Sequence, residues 1–215
     1  MKRLATQDRQ ALIRLASGLS PGSPERVAIL AGLTKQSNDE VNIPEKHILG
    51  NAVVVGGEVK GNAKVYGDAW VIDNAKVYDD AEVYDYAEVS DDAEVYGNAK
   101  VMDNARVYGD AEVWGDAKVF ADAHVYGNAK VYDNAEVWGK AEVWGNAHVW
   151  GDAKVSGGAK VSGNAKVYGD AKVSGDAKVY GKANISGKAV IMGGEWDGSE
   201  GKITSGKWKS PGVPA

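Results

Sequence analysis

From Val59 to Ile191 a valine or isoleucine stands at every sixth residue, 23 times without a slip, and alanine stands two residues before it from Ala63 to Ala189. A fixed period over more than half the chain outranks any local propensity. Within each unit, Ala-x-Val-x alternates small and polar, branched and large. That is strand periodicity, and the intervening Gly-Asn, Gly-Asp or Asp-Asn supplies a turn that tolerates positive φ. Each six residues therefore read as a short strand and a corner. Such strands have one narrow apolar face and persist only by stacking on copies of themselves, so the chain has to coil into a parallel solenoid.

Composition agrees with this reading. The 215 residues include 28 glycines, 10 tyrosines and 7 tryptophans but one phenylalanine and no cysteine, and apart from valine there are few large aliphatic residues to build a thick core. Without cysteine there are no disulfides and no thiolate metal sites. The net charge of −5 gives no basic-protein reason to expect nucleic acid. Its distribution is polar: residues 73–94 carry nine acids against Lys76, whereas residues 150–190 carry seven lysines against three aspartates. Asp8, Gln10 and Arg14 interrupt the apolar run that a signal peptide would need, and no stretch approaches membrane-spanning length. The expectation is a soluble protein, cytoplasmic or in a virion, without membrane contact.

The hexad Val107-Tyr108-Gly109-Asp110-Ala111-Glu112 resembles the repeat of the hexapeptide-repeat proteins at its aliphatic and small positions. It departs at the second position, where this chain carries Tyr, Trp or Ser in place of the usual small or acidic residue. The resemblance covers about two thirds of the chain and implies an all-β fold, a left-handed parallel β-helix with triangular coils of 18 residues. About seven such coils would stack, on the order of 35 Å at one strand spacing per coil. Many relatives are trimers, so a homo-oligomer is expected, a trimer first. Most are acyltransferases that take an acyl-CoA donor and use a histidine as general base between subunits. Near-identical Ala-x-Val-x hexads also resemble uncharacterised repeat proteins of bacteria and their phages.

Four segments follow. Residues 1–45 read as a short helical hairpin and linker, with Thr6 and Ser23 as caps, Pro24 at a first helical position and Gly18 and Gly32 as stops. This attachment segment would pack on the array or on a protein partner. Residues 46–58 form an irregular opening coil, because Ala52 and Val54 stand one residue out of phase. Residues 59–192 are the β-helix, and residues 193–215 a cap and tail in which Trp196, Trp208 and Pro211 close the lower end.

An 18-residue coil sorts the outward positions into columns. One column is wholly aromatic: Tyr78, Tyr96, Trp114, Tyr132, Trp150 and Tyr168. It is the candidate interaction face, for a neighbouring subunit or for a glycan stacking on the rings, or else a stabiliser of the solenoid itself. Asp73 with Asp91, and Asp79 with Asp80, are the weak metal candidates, offering hard oxygen ligands suited to calcium. The column Asn62, Asp80, Asn98, Asp116, Asn134, Asp152 reads instead as a solvated corner in which asparagines separate carboxylates. His124 and His148 are the weak catalytic candidates, 24 residues apart and so on different faces, while His47 lies in the linker. No residue pattern asks for a cofactor. The reading these features favour is a non-enzymatic structural or interaction module, possible in a phage or bacterial surface assembly; the alternative is an acyltransferase with His124 or His148 as base.

Overall fold

The computed structural model describes residues 11, 12, 15, 29 and 47–214. It is an all-β parallel solenoid whose short strands, mostly of two residues, fall into three sheets. The first sheet has nine strands, from Val53–Val55 to Glu195–Trp196; the second has nine, from Glu58–Val59 to Lys202–Ile203. The third has ten, from Lys64–Val65 to Lys207–Ser210, closed by Val213–Pro214. Each coil gives one strand to each sheet, and neighbours in a sheet are 18 residues apart, as in Lys64 with Glu82, Lys76 with Glu94 and Arg106 with His124. Amides of one coil donate to carbonyls of the next, Lys64 to Ala81 at 2.9 Å and Tyr66 to Val83 at 3.0 Å.

The inward pair of each hexad forms one continuous core. From Ala63 to Val179 every repeat alanine and valine is fully enclosed, at 0% exposure. Through these coils each inward side chain packs against its copies above and below, so the interior columns stay uniform.

The solenoid reaches about nine coils, longer than the hexad array, because both irregular ends join the stack. At the top, Val53–Val55 pairs with Trp70–Ile72 at an offset of 17 rather than 18. The missing residue is taken out of the corner at Gly57, where a Cβ would lie 2.8 Å from Val71 Cγ1 and 3.0 Å from the Ala75 carbonyl. This coil also carries apolar residues outward. Val53, Val55, Trp70 and Ile72 form a second buried cluster on the outer side of the first sheet, and Leu12 and Ile29, both helical, pack against it. The remainder of the hairpin expected within residues 1–45 lies outside the described residues. His47 is buried, with Nδ1 2.8 Å from the Ala63 carbonyl at the upper edge.

At the bottom, Trp196 and Trp208 replace valine in the inward columns, pairing with Val179 and Ile191. They meet edge to face at 6.3 Å, and their indole nitrogens donate to the Gly193 and Ser205 carbonyls at 2.8 and 2.9 Å. The final antiparallel pair, Trp208 with Pro214, covers the edge of the third sheet.

From Gly61 to Gly187 every corner turns through one residue of positive φ at the third place of the hexad, usually glycine. Asp73, Asp79, Asp85, Asp91, Asp103, Asp133 and Ala121 also hold it, with φ between 57° and 62°. Aspartate offsets the cost locally: the carboxylates of Asp79, Asp91, Asp103 and Asp133 accept from the amides of Gly97, Gly109, Ala121 and Gly151 one coil below, at 3.0–3.3 Å. Ala121 has no side-chain polar group with which to do the same. Replacing it with glycine is expected to stabilise the fold by about 0.5–1 kcal/mol, because the left-handed penalty relieved exceeds the added chain entropy. Equilibrium denaturation checks this, and a less stable variant would contradict it.

Candidate functional site

The second place of each hexad points outward just before a corner, so 18-residue stacking sets these side chains directly above one another. On the second sheet the column Tyr78, Tyr96, Trp114, Tyr132, Trp150, Tyr168 forms one unbroken stack, with centroid separations of 4.8, 5.6, 4.3, 5.6 and 4.3 Å and planes within 3° of parallel. The alternation of long and short steps follows from the offset between an indole centroid and a phenol centroid, and two consecutive steps together span about two strand spacings. Shorter stacks run on the other sheets: Tyr66 on Tyr84, Phe120 on Trp138, and Tyr108 on Tyr126 on Trp144. Each contact adds about 0.5–1.5 kcal/mol beyond area burial.

The rings are also held at their edges. Tyr66, Tyr78, Tyr96 and Tyr126 donate their hydroxyls to Glu82, Glu94, Glu112 and Glu142, each in the coil below, at 3.0–3.4 Å. The same glutamates take a lysine from an adjacent coil: Lys76 to Glu94 at 2.8 Å, Lys100 to Glu82 at 3.1 Å, Lys130 to Glu112 at 2.7 Å and Lys160 to Glu142 at 2.9 Å. The hydrogen bond from Lys76 holds Glu94 below the usual carboxylate range, and Lys160 does the same for Glu142. Burial, reinforced by these carboxylates, pushes Tyr66, Tyr96 and Tyr126 up to about 12.

This geometry limits what the ladder can do. An interior ring has a ring on both faces, so a sugar that binds by stacking finds a free face only where a column ends; along its length the ladder offers ring edges. At the upper end, a depression of about 490 Å³ lies beside Tyr78, lined also by Glu58, Lys60, Lys76, Asp79 and Glu94. At the lower end the Lys202 ammonium sits 5.3 Å from the Tyr168 ring centroid. There position 184 is asparagine instead of glutamate, and Lys202 lowers the Tyr168 phenol.

The histidines do not share a site. His124 lies on the first sheet between Arg106 and Glu142, edge-on to Tyr108 at 6.2 Å; His148 lies on the second between Lys130 and Lys166, edge-on to Tyr132 and Trp150. Burial, then neighbouring cations, holds both imidazoles below the usual range. Neither lines the depression beside Tyr78 or the second one of about 420 Å³ between Asn98 and Lys154.

The four aspartates considered for calcium are split between corners: Asp73 and Asp91 lie on the corner after the first sheet, Asp79 and Asp80 on the corner after the second. Asp79 and Asp91 bind the corner amides already described, and Asp80 accepts from Asn62 at 3.1 Å. Among the described residues no group of three or more His, Cys, Asp or Glu could hold a metal ion. In the asparagine column Asn98 likewise donates to Asp116 and Asn134 to Asp152, so the asparagines bond the carboxylates they separate. Trp70 was not distinguished by sequence, although it is the one residue of its column that is apolar within the upper array, and that break marks where the N-terminal helical residues dock.

No known protein family, curated protein or solved structure matches the chain. Among the described residues, no helix is long and apolar enough to cross a membrane.

The tyrosine environments predict an alkaline transition. A phenol whose folded value is raised above its unfolded value near 10 contributes stability that is intact below pH 10 and lost as pH climbs toward 12. In a phenolate absorbance titration Tyr168 should ionise first, Tyr168→Phe should remove that first step, and Tyr66, Tyr96 and Tyr126 should ionise only near unfolding. An unchanged first step in Tyr168→Phe would contradict the assignment.

Proposed function

We propose that the chain is a rigid, non-enzymatic spacer or interaction module of the hexapeptide-repeat, left-handed β-helix kind, carrying its N-terminal segment at one end and ring edges along its sides, within a bacterial or phage assembly. The observation that supports this is the uninterrupted register: from Val59 to Ile191 the stack contains no inserted loop that could wall off a substrate. Each coil repeats the same inner wall and the same outward columns, so added length gives reach and stiffness rather than new chemistry. The resemblance that suggests the scaffold is also the reason to test acyl transfer, since a lowered imidazole would stay neutral, as a general base must.

Incubation with acetyl-CoA and a panel of amine and sugar acceptors should release thiol no faster than buffer. Fluorophores on Cys substituted for Asn62 and Lys188, on one corner seven coils apart, should report one narrow separation of about 34 Å. Thiol release that disappears in His124→Ala or His148→Ala would replace the scaffold reading with the enzymatic one.

A further inference from the structure

The corner between the first and second sheets differs from the other two in the order of its charges. Reading down its fourth-place column, Asn74, Asp92 and Asp110 are followed by Asn128, Asn146 and Asn164, and then by Lys182. Asp73 and Asp91 add carboxylates to the upper part of this edge, and Asp91, Asp92, Asp110 and Lys182 are exposed or lie beside exposed residues of the same corner. Just past the corner, the first place of each second-sheet strand continues the trend. Lys76 and Lys130 are paired to Glu94 and Glu112, whereas Lys166 and Lys202 lie exposed further down. On the other flank, the stack Tyr108, Tyr126, Trp144 occupies the middle coils, with serine above it at Ser90 and below it at Ser162. One edge thus runs from acidic, through a neutral stretch flanked by rings, to basic.

The other corners lack this order. After the second sheet, Asp80, Asp116, Asp152 and Asp170 spread carboxylates down nearly the whole column before Lys188; after the third sheet, Lys140 sits between Asp122 above and Asp176 below, so acid stands at both ends.

We infer that this edge binds a second copy of the chain in antiparallel orientation, as an isologous dimer in which the acidic upper coils of one copy meet the basic lower coils of the other. A two-fold axis near the middle coils satisfies both ends at once, sets Asp92 opposite Lys182 of the second copy and Asp110 opposite Lys166, and brings the ring stacks and asparagines of the two copies together at the centre. Parallel packing through the same edge, as in a three-fold trimer, would set carboxylates against carboxylates. The inference is independent of whether the solenoid is a scaffold or an enzyme, since either would carry this edge.

Zero-length carbodiimide cross-linking of the full chain, read by mass spectrometry, tests it. Asp92 and Lys182 are five coils apart in one chain, about 24 Å, too far for a direct amide bond, so their cross-link can form only between copies, and parallel copies in the same register would hold the two residues just as far apart. The expected result is an Asp92–Lys182 or Asp110–Lys166 cross-link in a species of two-chain mass. Without cross-linker, the two-chain mass in solution should persist near 10 mM salt, where the Debye length is about 30 Å, and fall to one chain near 1 M, where it is about 3 Å. Lys166→Glu with Lys182→Glu should leave a single-chain mass, and adding Asp92→Lys with Asp110→Lys to the same chain should restore two. A single-chain mass at every salt concentration, a trimer without these cross-links, or failure of the compensating reversal in a variant that still shows the parent's thermal unfolding would overturn the inference.

Discussion

A two-residue strand cannot hold itself together, and nearly every strand in this protein is that short. What holds them is the hydrogen bond from each coil to the next, repeated at 18-residue intervals on three sheets. Because the partner is always one full turn away, any change in length at one hexad would misalign every coil beyond it. The inner alanines and valines fill the tube, and the outward rings and charges are aligned only because this register is kept. Even the three departures from it, one 17-residue offset at the top and two at the bottom, fall in the end coils, where an irregular corner does not propagate through the array.

The corners carry the strain of this arrangement and also part of its cohesion. Glycine takes the positive φ at most of them. Where Asp79, Asp91, Asp103 or Asp133 takes it, the carboxylate reaches down to an amide of the next coil, and Asn74 and Asn134 reach the aspartate below with their side-chain amides. Acidic corners that resemble metal ligands when read along the chain are therefore used to join one coil to the next. The outward face works in the same way: a tyrosine, a glutamate and a lysine drawn from neighbouring coils lock together.

Much of this was legible in the hexads. Periodicity placed alanine and valine inward and assigned the corners, and the 18-residue coil implied by the resemblance to hexapeptide-repeat proteins aligned Tyr78 through Tyr168. Other features depend on distances that a linear reading does not contain. That the ring faces are covered, leaving only edges along the ladder, needed the measured stacking. That Asp79 and Asp91 serve corner amides needed the position of the coil below. The joining of residues 195–210 to the stack was obscured because Trp196 and Trp208 stand where valine would, at shifted spacing. Trp70 had a signal, an apolar residue in a charged column, whose meaning appears only with Leu12 and Ile29 packed beside it.

The register is most directly tested by paired deletions followed through thermal unfolding. Removing residues 127–144 takes out one whole coil and rejoins Tyr126 to Gly145 in phase, whereas removing residues 127–129 puts everything below half a hexad out of step. The 18-residue deletion should unfold cooperatively at close to the parent's temperature, and the three-residue deletion should lose the cooperative transition. Equal stability of the two, or greater damage from the larger deletion, would contradict the account.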